Sequence, residues 1–470
     1  MKVRLRDAAF AVTNCTTRLP FRFGMNTMTW APTLTARVEL ETEAGPTIGY
    51  AADLLVPKWF EKDPRKSLRE DVEGLMASAR RAAEVARVPA DESVFELWWR
   101  TYRECVHGLP MNAPERLREG FGVAIIERAV MDAACRAAEM SFFEALRIDL
   151  FGFRPGTLHS ELTEWSLAES LADAPLSRVA LRHTVGLVDE LTEDDVSKRV
   201  DDGLPESFAA DIEAYGLTWF KLKLGGDAEV DFERFLAFGS VLEACEVKNP
   251  RFTVDGNEQF TDLGVLAAFL RRVDDDALGR RTLRGLQYIE QPLPRAISLD
   301  EAAARQLAAL AEIAPVILDE ADHGLEAFPR ALELGYGGIS VKNCKGVFRA
   351  LTNRGLCELR DAFQSAEDLT TLGVLAVQQD LATVAALGLT HVERNGHHYF
   401  RGLDHLPADE ARAALDAHPD LWCADDHGTT LRIESGELAL GSLQRPGFGY
   451  DVEIDWAART PLEDWTFPES

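Results

Sequence analysis

The sequence predicts an α/β protein: a modified (β/α) barrel with an α+β domain before it and a strand-rich tail after it. Three observations predict this. A strand-then-helix phrase repeats through the middle of the chain, its strands are apolar enough to be covered on both faces, and no Gly-x-Gly-x-x-Gly loop follows a first strand. The last point weighs against the competing open, doubly wound sheet.

The repeated phrase is a short apolar run ending in a charged residue, then an amphipathic segment. The runs are Leu217 to Lys223, Arg251 to Asp255, Leu286 to Glu290, Pro315 to Asp319 and Gly338 to Lys342. Their terminal charges are 32, 35, 29 and 23 positions apart, the length of one strand, one helix and two loops. Helical patterns at 231–247, 263–273, 299–311 and 347–363 fill the gaps. The phrase extends back to Ala180–Leu187 and forward to Asp361–Ser365 and Leu389–Glu393, so the barrel is expected over 178–410. Residues 1–150 differ. Strand-like Val3–Val12 and Thr35–Leu40 precede helical Leu68–Val85 and Val123–Ala138, an α+β order. The tail, 411–470, returns to strands and turns and is expected to pack back on the N-terminal domain.

Composition bounds the function. The chain has 470 residues, 46% hydrophobic and 27% charged, which excludes disordered and collagen-like classes. A formal net charge of −28 repels nucleic acid and anionic membrane. Seven scattered cysteines without a C-x-x-C support neither a disulfide framework nor a zinc knuckle. No apolar stretch is long enough to span a bilayer, and the N-terminus alternates like a strand rather than a secretion signal. The expectation is a soluble, cytoplasmic protein.

The chemistry lies in the strand ends. Side chains there point into the common mouth of a barrel, so Asp255, Glu290 and Asp319 converge from three successive strands. Alone, each would most often be an exposed acid or a helix cap. Together they repel one another and call for protons or a cation; a hard divalent ion fits, Mg²⁺ first and Mn²⁺ second. Only ten of the fifty basic residues are lysine, yet four cluster here as Lys221, Lys223, Lys342 and Lys345. Unlike arginine, lysine can surrender its proton. Lys221 and Lys223 share a strand face roughly 7 Å apart, and two ammonium groups at that distance repel by about 2.4 kcal/mol at an effective dielectric near 20. That repulsion moves one lysine toward the range of a general base at neutral pH. Lys342, beyond the metal strands, should face Lys223 across the mouth.

Phe220-Lys-Leu-Lys-Leu-Gly225, Val254-Asp-Gly-Asn257, Ile289-Glu-Gln-Pro292, Leu318-Asp-Glu320 and Val341-Lys-Asn-Cys-Lys-Gly346 together resemble the enolase superfamily, and within it the muconate-lactonizing-enzyme-like subgroup. The resemblance spans nearly the whole chain and makes 1–150 a capping domain completed by the tail. It implies Mg²⁺-assisted abstraction of the proton α to a carboxylate through an enediolate. Asp255, Glu290 and Asp319 match the metal ligands, Lys223 the base, Lys221 its neighbour and Lys342 the acid/base on the opposite face. Asn257 and Glu320 match residues that orient the ligands, and Glu393 an acid on the last strand. The implied reactions are racemization or epimerization and cycloisomerization; the alternatives are a syn-dehydratase of the o-succinylbenzoate synthase type and a Schiff-base lysine lyase. The implied partner is a small carboxylate, in a homo-oligomeric assembly.

The match is incomplete. Lys345-Gly-Val347 stands where a glycine pair is expected, Asp322 is an extra acid without a role, and insertions fall near 63–114 and 154–178. Cap loops at 19–30 and 51–59 should choose the substrate. Arg22 there is a candidate for a distal carboxylate, while Phe21, Phe23, Met25 and Met28 are candidates for an apolar pocket. His397 and His398, past the last strand, have no assigned role.

Overall fold

Alternating buried and exposed residues shape the first 54 residues into an antiparallel meander. The computed structural model describes residues 1–24 and 26–468. Strands β1 (Lys2–Phe23), β2 (Asn26–Thr42) and β3 (Gly45–Leu54) pair in order, β1 with β2 from Val3↔Thr42 to Phe23↔Asn26. The short β4 (Glu92–Ser93) adds to the start of β1. These strands outrun the expected 3–12 and 35–40: the supposed loop at 19–30 is the tip of the β1–β2 hairpin, and much of 51–59 is the end of β3. Met25 lies outside the described residues.

Helices cover one face of the meander. Helix Leu68–Ala86 starts in a capping box, where the Ser67 hydroxyl accepts from Glu70 N–H and the Glu70 carboxylate accepts from Ser67 N–H. Helix Arg116–Ala137 is buried along nearly its whole length and lies against helix Leu68–Ala86, β2 and β3. Gly122 allows that close approach, since a Cβ there would stand 2.3 Å from the Ser78 backbone. The stretch 63–114 thus supplies much of this domain's helical layer, whereas 154–178 is a run of tight turns tied to the barrel by Trp165 Nε1–H donating to Glu358 (2.7 Å).

Eight parallel strands of the described chain form the barrel. They are β5 (Arg178–Val185), β6 (Trp219–Lys223), β7 (Arg251–Asp255), β8 (Leu286–Glu290), β9 (Val316–Leu318), β10 (Gly338–Val341), β11 (Phe363–Ala366) and β12 (His391–Arg394). Each pairs with the next, and β12 returns to β5 through Val392↔Leu181 and Arg394↔His183. Their outward apolar residues, such as Phe220, Phe252 and Ile289, are fully buried under the helices. The interior is charged as well as apolar: Arg182 pairs with Glu367 at 2.5 Å and lies beside Tyr288 and Ser365, all buried.

The tail, 411–470, divides its contacts between the barrel and the N-terminal domain. β13 (Trp422–Asp425) and β14 (Gly428–Leu431) pair with each other, and β15 (Glu437–Ala439) adds antiparallel to β5. Contact with the N-terminal domain comes later, where Phe448 stacks on Phe142, Tyr450 Oη–H donates to Asp132 and β16 (Thr460–Pro461) pairs with β1. No described helix is long and apolar enough to cross a membrane.

His418 makes the tail acid-sensitive. It is fully buried, its Nε2 accepts from Asp451 N–H at 3.0 Å and its Nδ1 lies 3.0 Å from Ser442 Oγ, an arrangement suited to neutral imidazole. Burial pushes its pKa down from 6.5 to about 4. Between those values the unfolded chain binds a proton that the folded chain refuses, so stability falls as the pH falls through this window, by about 3 kcal/mol at most. Denaturant melts at pH 7 and pH 4 should show the wild type losing that much more than His418→Gln; equal losses would remove His418 from the account.

Candidate active site

The barrel register brings the strand-end charges together. Lys223 pairs in register with Asp255, and Asp255 with Glu290. Asp319 directly follows β9 and Lys342 directly follows β10. β6 and β10 are four strands apart in a closed barrel of eight, so Lys223 and Lys342 approach from opposite sides. Both line one small cavity, roofed by Phe21, Phe23 and Trp59 from the N-terminal domain and flanked by Leu369. The carboxylates beneath are sealed. Asp255, Glu290 and Asp319 have no exposed surface, whereas Lys223 and Lys342 each retain 5%.

Each of these lysines is tied to a different acid: Lys223 Nζ lies 2.6 Å from Asp255 Oδ2, and Lys342 Nζ 2.6 Å from Asp319 Oδ2. The Lys342 ammonium also stands 4.7 Å from the centre of the Trp59 ring, a cation–π contact. Burial works against its charge, but the surrounding carboxylates, Asp319 foremost with Glu290 and Glu393, together outweigh burial and hold its pKa above the usual lysine range. Asp319 is correspondingly depressed, with Lys342 and Lys345 overcoming the cost of its burial.

Lys221 differs from expectation. Its ammonium is fully buried in a cage of four carboxylates: Glu290 at 2.7 Å, and Asp255, Glu367 and Glu393 each at 3.0 Å. Those acids override burial and push its pKa well up. Asp255 Oδ2 lies against both Lys221 and Lys223, so a carboxylate offsets the repulsion expected between the two ammonium groups. Glu290 is the strained member. Burial, followed by the charges of Asp255 and Glu367, raises its pKa well above the carboxylate range, and neither of its oxygens has a well-aligned hydrogen-bond donor among the described residues.

The surrounding groups hold this array in place. Asn257 N–H donates to Asp255 at 2.8 Å, and its side-chain amide donates to Glu320 at 3.1 Å. Lys62 bridges toward the same corner, 2.5 Å from Glu258 and 3.8 Å from Glu320. Asp322, without a role in the sequence, pairs with Arg349 and lies 3.4 Å from Lys345, which also reaches Asp319 at 3.1 Å.

Arg22 is a correction. It sits between Phe21 and Phe23 on the hairpin, and strand alternation turns it to the exposed face while both rings turn to the cavity. Glu393 reaches the cavity wall, but its oxygens are taken by Lys221 and by the Thr184 hydroxyl at 2.7 Å. Sequence reading missed Glu367 and the contact of Trp59 with Lys342, and it gave Lys345, though singled out among the clustered lysines, no role. Glu367 follows the run ending at Ser365 by two residues, so the rule that found the other acids would have reached it had that run been read further.

The donor set suits a hard cation. The three acids offer oxygen only, belong to successive strands and are sealed from bulk water, and while Glu290 Oε2 faces Lys221, its Oε1 meets no donor among the described residues. Mg²⁺ would be held by Asp255, Glu290 and Asp319.

Comparison with known proteins decides the family. Residues 204–457, more than half of the chain, match the family described as enolase C-terminal domain-like. The chain belongs to the enolase superfamily. It is an enzyme of the isomerase and lyase kind found there. Solved structures share the fold of this enolase-superfamily chain over nearly its full length. The muconate lactonizing enzyme from Pseudomonas fluorescens, complexed with muconolactone, has a TM-score of 0.64 at 15% identity, covering 96% of this chain and 97% of that one. An enolase from Bradyrhizobium complexed with magnesium and mandelic acid gives 0.63 at 13% identity, covering 98% and 99%. The 2-chloromuconate cycloisomerase from Rhodococcus opacus gives 0.62 at 15% identity, covering 96% and 97%. No curated protein matches the sequence.

Proposed function

We propose that the chain removes the proton α to the carboxylate of a small acid, with Mg²⁺ on Asp255, Glu290 and Asp319, and passes through an enediolate as a racemase, epimerase or cycloisomerase. One observation carries this reading: Lys223 and Lys342 enter one cavity from opposite sides, each 2.6 Å from a different member of the acid trio. Substrate placed between them meets a proton carrier on either face.

A carbon acid is too weak for a side-chain base unless the growing negative charge is met, and bound Mg²⁺ supplies that neutralisation. The other parts belong to the chain. Lys223 takes the α-proton on one face, and Lys342, kept as an ammonium by Asp319, returns a proton to the other. Lys221 holds Asp255 and Glu290 in place and, being caged, does not titrate with them. Asn257 fixes Asp255 through its backbone N–H. Phe21, Phe23 and Trp59 exclude water and favour a substrate whose distal portion is apolar, since Arg22 faces away. A Schiff-base lyase would leave the three converging carboxylates of Asp255, Glu290 and Asp319 without a purpose.

Deuterium incorporation from D₂O into N-acyl amino acids, dipeptides, hydroxy acids and aryl-substituted carboxylates tests the reading before any product is known. Exchange at the α-carbon is expected with Mg²⁺ and is expected to stop with a chelator. Inversion identifies a racemase or epimerase, ring closure or opening a cycloisomerase, and loss of water the syn-dehydratase. Borohydride inactivation in the presence of a carbonyl substrate, without α-exchange, would replace the proposal with Schiff-base chemistry.

A further inference from the structure

His183, Asp211 and His397 form a cluster that the proposed reaction does not use. His183 lies on β5 between Arg182 and Thr184, which reach Glu367 and Glu393 inside the barrel, so alternation places the imidazole on the outer face. Asp211 comes from helix Phe208–Tyr215 and His397 from the turn of helix Gly396–Tyr399 just after β12. All three are buried, at 1%, 1% and 7% exposure, and one ligand atom from each lies within 4.8 Å of the others. His183 Nδ1 stands 3.0 Å from His397 Nε2, and His183 Nε2 3.7 Å from Asp211 Oδ2.

This polar group is short of partners. Neither Asp211 oxygen accepts a well-aligned hydrogen bond among the described residues, and His397 Nδ1 is likewise unpaired. The nearest cationic side chain to Asp211 is His398, whose Nδ1 lies 2.9 Å from Oδ2. Asp211 Oδ2 faces His398, and the imidazoles of His183 and His397 meet each other, so the atoms of the group left with nothing to meet are Asp211 Oδ1 and His397 Nδ1, two buried polar atoms that a bound ion would engage or reorganise.

We propose that His183, Asp211 and His397 bind a second metal ion, of the imidazole-preferring class typified by Zn²⁺, separate from the oxygen-only site of Asp255, Glu290 and Asp319. Two nitrogens and a carboxylate suit Zn²⁺, whose bonds of about 2.0–2.2 Å put tetrahedral ligands roughly 3.3–3.5 Å apart. A single His183 nitrogen must serve the ion, so the three ligand atoms, which lie within 4.8 Å of one another, draw in around it by ring and carboxylate rotation. Ligand chemistry sorts the two ions: Mg²⁺ prefers the all-oxygen site and Zn²⁺ the nitrogen-bearing one. His398, against Asp211, either orients that carboxylate or completes the coordination.

The location gives the ion a structural purpose. Arg394↔His183 is part of the pairing that closes the barrel, so the ion ties β5, helix Phe208–Tyr215 and the turn after β12 at the seam. The same turn anchors the cavity roof. Tyr399 stacks on Phe21 with ring centres 4.1 Å apart, and Arg18 of β1 donates to the His398 carbonyl at 2.9 Å. The second ion is therefore a positioning element for the roof, with no contact to substrate.

The test is Co²⁺ and Zn²⁺ titration of the chelator-stripped full chain, combined with X-ray absorption on the Zn²⁺ form. One equivalent should show the intense visible bands of tetrahedral Co²⁺, and the Zn²⁺ shell should contain two imidazoles. Asp255→Asn should keep that equivalent, and His397→Gln and Asp211→Asn should lose it together with the Zn²⁺-dependent rise in Tm. An oxygen-only shell in the wild type, no tetrahedral Co²⁺ spectrum, or uptake unchanged in a folded His397→Gln would overturn the proposal. The absorption measurement decides even if the variants do not fold.

Discussion

Lys223→Ala and Lys342→Ala are each expected to lower turnover about 10²–10⁴-fold, the range a positioned acid or base contributes. Each lysine is paired with a single acid at 2.6 Å and lines the cavity, so truncation leaves the deeper cage around Lys221 intact. Circular dichroism and Mg²⁺ binding should be unchanged. In a racemase the two variants should also differ by enantiomer: one stops deuterium exchange into the first hand of the substrate, the other into its mirror image. Wild-type rates in either variant, with the true substrate, would dismiss the two-lysine assignment.

Lys221→Met should act on stability rather than on chemistry alone. The native ammonium answers four buried carboxylates within 3.0 Å, and removing one partner of a buried ionic cluster costs about 3–5 kcal/mol. The loss should depend on pH in a defined direction. Without the cation, the acids carry pKa values raised above those of the unfolded chain, so the variant keeps its stability at acid pH and loses it as the pH rises through their folded values. Glu290, already raised in the native cage, should lead that change. Denaturant melts of wild type and variant at pH 5 and pH 8 measure it. A variant within 1 kcal/mol of wild type at pH 8 would mean that the cage does not depend on Lys221.

The sequence displayed what strand periodicity and strand ends can display. Asp255, Glu290, Asp319 and Lys342 each close an apolar run, and parallel register then brings them to one mouth whatever the loops do. Lys223 follows the same rule. Three-dimensional partners were not visible. The surroundings of Lys221 depend on Glu367 and Glu393, which lie 146 and 172 positions away, so two adjacent lysines looked like mutual repellers. Arg22 turned on parity, because a shift of one position on the hairpin exchanges the cavity face for the solvent face. Trp59 reaches Lys342 from another domain, and no local pattern announces such a contact. β15 joins the barrel by antiparallel addition to β5, outside the strand–helix rhythm that revealed its parallel neighbours.

The stacked rings of Phe21 and Tyr399 have a kinetic consequence. Phe21 belongs to the roof above the two lysines, Tyr399 buttresses it from the turn after β12, and the roof leaves each lysine only 5% exposed. Entry of a ligand is therefore expected to require the roof to shift, and a dependence of turnover on solvent viscosity is the measurement that checks it.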